Sequence, residues 1–203
     1  MSALNCLLLY VAMFLMPTHL LALNPEQRQI LEMIENKIEP TAQMIGSFSQ
    51  KKTIPQLPRP LISKGIMAVS EDMGVSWRIE SPVDSHRIFW NPDYDNRKNY
   101  STNPIDSQIA YPLLQIIKGK FSTLEDFFFL NAQIDQEHWQ VRLLPKKKSF
   151  SKIITSIEIF GDDHIRRIVL AEANQSVTEM EIYNFRPVSQ ENNKFLSEFS
   201  KSK

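Results

Sequence analysis

The chain has 203 residues, of which 42% are hydrophobic and 23% charged, proportions that suit one globular domain with a sizeable core. Lysine plus arginine equals aspartate plus glutamate at 23 each, so charge gives no basis for a nucleic-acid partner. A single cysteine, Cys6, excludes a disulfide framework.

Residues 1–23 contain no Lys, Arg, Asp or Glu, and the apolar run "CLLLYVAMFLM" leads into Pro17 and the small residue Ala22. This pattern predicts a signal peptide over 1–22, cleaved on export, with 23–203 as one mature domain. The rival reading is an uncleaved anchor, for which Pro17 and His19 leave the run short. Cys6 precedes the apolar run, the wrong side for a lipid-modified cysteine. Cleavage would leave a mature chain with no thiol, which suits an oxidising compartment.

"NPEQRQILEMIENKIEP" predicts a helix. Asn24 caps it, Pro25 takes the first helical position, Gln27 stands where a capping-box partner would, and Pro40 ends it. Ile30, Leu31, Ile34 and Ile38 form its apolar stripe. "MIGSFSQKKTI" reads as a strand and "PQLPRP" as a loop. Residues 63–69 and 75–80 read as a hairpin with Glu71 and Asp72 at its bend. "SHRIFW" reads as a strand running into the turn "NPDYDN", and 97–101 is a candidate for the next. "DSQIAYPLLQIIKG" predicts an apolar helix, short or kinked at Pro112 and ended by Gly119. Strands follow at 127–134, 138–144, 153–160, 164–171 and 176–185. Trp139, Val141 and Leu143 alternate with His138, Gln140 and Arg142, as in a half-buried antiparallel strand. The tail "ENNKFLSEFSKSK" suits an edge strand, a short helix or a frayed end.

The predicted fold is α+β, mainly β: an antiparallel meander of some eight or more strands with a helix before it and another inserted midway. A sheet of that size curls into a full or partial barrel with helix packed in its concavity.

The sequence advertises no catalytic centre. "GSFSQ" is not a nucleophile elbow, and Ser47 and Ser49 read as solvent-facing. Asp162, Asp163 and His164 in "GDDHI" are too few for a metal site, and a turn explains them. Glu125–Asp126 and Glu71–Asp72 are sequence neighbours, which point to opposite faces of a strand rather than pairing. No catalytic residue, metal or cofactor is therefore predicted. "PKKKS" reads as a solvated loop, with docking to an anionic membrane face or an acidic partner as its functional alternative. The remaining signal is apolar. Phe48, Met67, Val69, Val75, Trp77, Ile79, Phe127, Phe129, Trp139 and Met180 on strands, with Leu113, Leu114, Ile116 and Ile117 on the middle helix, make either a filled core or a ligand cavity.

"IGSFSQKKT…LISKGIMAVSEDMGVSWRIESP" resembles the opening of the LolA-type periplasmic lipoprotein carriers, with Phe48, Gln50, Lys51, Gly65, Trp77 and Pro82 in the matching order. A mid-chain apolar helix and a "W-x-V-x-L-x-P" strand from Trp139 to Pro145 extend the likeness over about 30–185. The resemblance implies an incomplete barrel, closed by the N-terminal helix and a mid-chain helical lid. It implies a periplasmic, monomeric carrier of an acylated lipoprotein or other lipid cargo, served by an inner-membrane ABC-type transporter and an outer-membrane acceptor. The cavity residues would be Phe48, Met67, Val69, Val75, Trp77, Ile79, Trp139 and Val141, and the lid residues Ile109, Leu113, Leu114, Ile116 and Ile117. The family's Arg-Pro ahead of the hairpin's second strand is replaced here by Glu71-Asp72, and its usual C-terminal motif is missing. Strand parity aims Glu71 at the cavity mouth as a gating position, and these departures point to a different latch or cargo. A lipid-sensing or interaction module on the same scaffold is the alternative.

Overall fold

The structure, a computed structural model, describes residues 24–38, 42–91, 93–94, 104–189 and 191–200, with side chains in the middle helix described from Tyr111 onward. The signal peptide over 1–22, the strand expected at 97–101 and the side chain of Ile109 lie outside the described residues. The described chain forms one nine-stranded antiparallel sheet and four α-helices.

The strands are β1 (Gln43–Thr53), β2 (Leu61–Ser70), β3 (Gly74–Ser81), β4 (Ser85–Trp90), β5 (Phe128–Asp135), β6 (His138–Pro145), β7 (Ile154–Gly161), β8 (Ile165–Glu172) and β9 (Val177–Pro187). Their order in the sheet is β4-β3-β2-β1-β9-β8-β7-β6-β5. The expected meander therefore holds only within each half. The first and last strands pair at the centre, Phe48 opposite Ile182, and the connection from β4 to β5 spans from one sheet edge to the other. Phe89 of β4 and Phe128 of β5, from opposite edges, line the same cavity, so the sheet curves into a barrel left open between those edges. Gly65 allows the tight β2–β3 approach: a Cβ there would lie 1.8 Å from the Arg78 carbonyl oxygen.

Helix α1 (Pro25–Lys37) is capped by Asn24, whose Oδ1 accepts from the Gln27 N–H at 2.7 Å. The Gln27 side chain does not close a capping box. Its Oε1 instead accepts from the Ala132 N–H at 2.6 Å, on the free edge of β5. The helix thus covers an edge that would otherwise offer bare N–H groups. Leu31 and Ile34 are buried beneath it.

Helix α2 (Pro104–Ile117) runs through Pro112 without ending there. It stops in a Schellman turn, with Lys120 N–H on the Gln115 carbonyl, Gly119 N–H on the Ile116 carbonyl and Gly119 at φ +67°. A 3₁₀ turn (Phe121–Leu124) follows and buries both terminal side chains. Helix α3 (Lys148–Ser151) is one turn between β6 and β7. The tail forms helix α4 (Asn193–Glu198), capped by Asn192.

The sheet is covered on both faces. On the concave face, α1, α2 and the 3₁₀ turn bury a core that includes Phe48, Met67, Phe121 and Ile159. On the outer face, Phe195 and Phe199 of the C-terminal segment pack on Ile45 and Ala68. Ser47 and Ser49 are consequently half-buried rather than solvent-facing. The run Phe127–Phe129 departs from the expected parity: Phe129, expected in the core or cavity, is 38% exposed, and Phe128 points inward at 1% exposure.

Candidate functional site

The curved sheet and α2 enclose a cavity of about 580 Å³. Strand alternation builds its wall. On β3, Trp77 and Ile79 face inward; on β7 and β8, Ile157 and Ile168 do the same; Met180 comes from the central β9. Helix α2 supplies the roof through Pro112, Leu113 and Ile116. Close-packed cores seldom hold voids larger than a water molecule, so an apolar space of this size stands apart from the packed core around it.

Polar lining gathers at one end. Gln50 and Lys52 come from the second half of β1, with Thr178 opposite Lys52 in register and Glu172 on the neighbouring strand end. Lys52 Nζ donates to Glu172 Oε1 at 2.6 Å, an ion pair on side chains 30% and 16% exposed. Ser85 and Arg87 face them from β4. The cavity is thus amphipathic along its length.

The residues expected to line the cavity divide into two groups. Trp77, Ile79, Leu113 and Ile116 stand on its wall. Phe48, Met67, Val69, Val75, Trp139, Val141, Leu114 and Ile117 do not: they are packed into the core between sheet and helices. Phe48 supports the wall from behind, its ring 4.8 Å from that of Trp77. Trp139 is held by the edge of Phe121 and by its Nε1–H, which donates to the Asp162 carbonyl at 2.6 Å. Residues that sequence reasoning missed include Phe89, Phe150, Ile154, Ile157, Ile168 and Leu170. Alternation in β7 and β8 carried the signal, but nothing in it distinguishes wall from filled core.

Glu71 lies at the opposite end from the polar lining, beside the C-terminus of α2, rather than at a cavity mouth. Its backbone is fixed by Asn91 Nδ2, which donates to its carbonyl at 2.9 Å, and by its own N–H on the Ala42 carbonyl. Its carboxylate takes a hydrogen bond from Lys118 and lies 3.8 Å from Lys120 Nζ. Both lysines belong to the turn that ends α2. Hydrogen bonding from Lys118, helped by the charges of Lys118 and Lys120, holds the Glu71 carboxyl below the ordinary carboxylate range.

A second polar group lies on the outer face under α4. Ser76 Oγ is 2.8 Å from His86 Nε2, Arg78 Nη2 is 3.2 Å from His86 Nδ1, and Arg78 Nε donates to Glu198 Oε2 at 3.0 Å. A serine, a histidine and a glutamate meet here, but not as a nucleophile set. Arginine can only donate, so Nδ1 must accept and Nε2 carries the proton it gives to Ser76. An imidazole so placed cannot take the serine's proton, and Ser76 is fully buried. Burial pushes the His86 pKa below its usual value and the neighbouring Arg78 charge adds to this.

Asp162 and Asp163 are engaged by Arg166, at 2.8 Å each, and no group of three potential ligands that could hold a metal ion occurs among the described residues. No helix among them is long and apolar enough to cross a membrane.

No family model matches the chain, and no curated protein matches it. Solved structures similar to it include an outer membrane lipoprotein-sorting protein domain from Vibrio parahaemolyticus, at 11% identity and a TM-score of 0.41 over 86% of this chain and 97% of that one. A LolA superfamily protein from Nitrosomonas europaea is 9% identical with a TM-score of 0.42, covering 83% and 96%. A DUF1329 family protein from Desulfovibrio piger is 9% identical with a TM-score of 0.35, covering 81% and 93%.

Proposed function

We propose that this chain is a periplasmic carrier that shields the acyl chains of a lipoprotein or another lipidated molecule and moves it from the inner to the outer membrane. The observation that carries this reading is the amphipathic cavity of about 580 Å³ between α2 and the concave sheet. Its size falls within the range of about 300–1,000 Å³ typical of small-ligand sites. Its apolar walls suit methylene chains, each worth about 0.8 kcal/mol when withdrawn from water. Its polar end, with the Lys52–Glu172 pair, suits a headgroup or the polypeptide that follows an acyl anchor.

In this reading α2 is the lid and Glu71 its clasp. The family's arginine is replaced by a carboxylate, and the end of the lid meets it with Lys118 and Lys120. The contact ties the hairpin bend to the end of the lid, so that parting of α2 from the sheet breaks it. An inner-membrane transporter and an outer-membrane acceptor are the partners such a carrier needs.

Native mass spectrometry of the protein purified from membrane-containing extract tests this directly. The expected result is a co-purifying acylated species released by organic solvent. A protein that emerges free of lipid and takes none up after delipidation would overturn the reading.

A further inference from the structure

The turn from β6 to β7 stands at the polar end of the cavity. Ile154 pairs with Glu172, and the Ala173 N–H bonds to the Ile153 carbonyl, which places residues 146–153 beside the cavity's polar lining. Phe150 of α3 and Ile154 are themselves part of the cavity wall. Phe150 also packs on Phe127 at 6.4 Å, and Phe127 packs on Tyr111 of the lid at 5.9 Å. Turn, rim and lid are therefore one continuous aromatic contact.

The surface of this turn is basic and partly apolar. Residues 138–157 contain Arg142, Lys146, Lys147, Lys148 and Lys152 and no Asp or Glu. Lys147, Lys148 and Lys152 are exposed, and no salt bridge engages them among the described residues. Lys147 leans over the Phe127 ring at 4.7 Å and Lys146 over Phe129 at 5.0 Å. The carboxylates nearest in the chain are Glu137 and Glu158, the latter paired with Arg142; Glu125, whose carbonyl accepts from Lys146 Nζ, is shared with Arg28, and Glu172 is held by Lys52. Beside the lysines lie the exposed apolar side chains Ile153 (51%), Leu144 (40%) and Phe129 (38%), the last two facing each other across β5 and β6.

We propose that this face, Lys146 to Ile153 with Leu144 and Phe129, docks on an anionic lipid bilayer and presents the polar end of the cavity to it. The proposal rests on the carrier reading above. Lysines attract anionic headgroups, and the apolar side chains between them enter the headgroup boundary. Continuity with the cavity favours a bilayer over an acidic protein. An acyl chain can pass from cavity to membrane without crossing water, where each exposed methylene is disfavoured by about fourfold.

Co-sedimentation with vesicles of phosphatidylcholine alone and of phosphatidylcholine mixed with phosphatidylglycerol tests this. The protein is expected to sediment with the mixed vesicles at low salt, weakly with the neutral ones, and less as salt rises. Each lysine at an anionic surface contributes about fivefold, so Lys147→Gln, Lys148→Gln and Lys152→Gln together should weaken binding by about 100-fold. Ile153→Ser should weaken it by about tenfold. Uptake of a fluorescent fatty acid in solution, without vesicles, should be unchanged in both variants.

Equal binding to both vesicles, no binding to either, or lysine variants that bind as the parent does would overturn the proposal. Binding to immobilised polyglutamate without binding to vesicles would give the face to an acidic protein. Self-association abolished by the same substitutions would give it to a second copy. Fatty-acid uptake without vesicle binding would sink only the docking face. Vesicle binding without uptake would support the face and sink the carrier reading.

Discussion

Glu71 is half-exposed, and exposed ion pairs contribute little to stability, from nothing to about 1 kcal/mol. Its effect should therefore appear in lid motion rather than in unfolding. Glu71→Lys faces two lysines with a third charge, and is expected to raise the dissociation rate of a bound fluorescent fatty acid by about fivefold, with a melting temperature near that of the parent. Combining Glu71→Lys with Lys118→Glu should restore slow release; stopped-flow displacement measures both. Because the folded carboxyl titrates below the ordinary carboxylate range, the clasp is intact at neutral pH and is lost only as pH falls through that lowered value. Release rates should then be flat from neutral pH to about pH 5, and a rise within that window would show that another group governs the lid. His86 behaves in the opposite chemical sense with the same slope. Its folded pKa is lowered, so the unfolded chain binds the proton first, and stability falls as pH drops below about 6.5. Burial sets this lowering and the Arg78 charge adds to it, against Glu198 and Asp84, which pull the value upward. His86→Gln should flatten that part of the stability profile in thermal melts at stepped pH. Arg78→Met strands the buried Glu198 carboxylate and should cost about 3 kcal/mol in urea unfolding.

The elements differ in how plainly the chain announced them. Strands β6 to β9 were legible because alternation of apolar and polar residues has period two and short polar turns separate them. Helix α1 was legible from Asn24-Pro25 and its stripe, and α2 from its stripe and Gly119. What Gln27 bonds to was not, since the edge of β5 is more than 100 residues away in the chain. In the run Phe127–Phe129 alternation cannot show which ring points inward, because all three positions are apolar alike. Helix α4 hid in a polar tail, although Asn192 as a cap and Phe195 with Phe199 one turn apart were its marks. Its consequence is that the sheet has no solvent face at Ser76, where the residue opposite in parity to Trp77 is buried under α4. Phe195→Ala should accordingly cost about 3–5 kcal/mol in chemical unfolding while leaving fatty-acid affinity close to that of the parent, because α4 lies on the outer face.

At the scale of the whole molecule, the fold is a curved sheet whose first and last strands pair at its centre and whose two edges stand apart, with helix α2 over the space it encloses. Fold class and the place of the mid-chain helix were readable from element order; the cavity was not. Core and wall share one composition, and only three-dimensional curvature decides that Ile79 borders empty space while Val75 is packed solid. The central claim is that this space holds acyl chains. Equilibrium titration of the delipidated protein with a fluorescent fatty acid tests it most directly, alongside Ile79→Glu, which puts a charge on the wall, and Glu80→Gln, which alters its exposed neighbour. Saturable binding by the parent and by Glu80→Gln, abolished in a folded Ile79→Glu, is the predicted result. Absence of saturable binding in the parent, or equal binding in all three, would contradict the account.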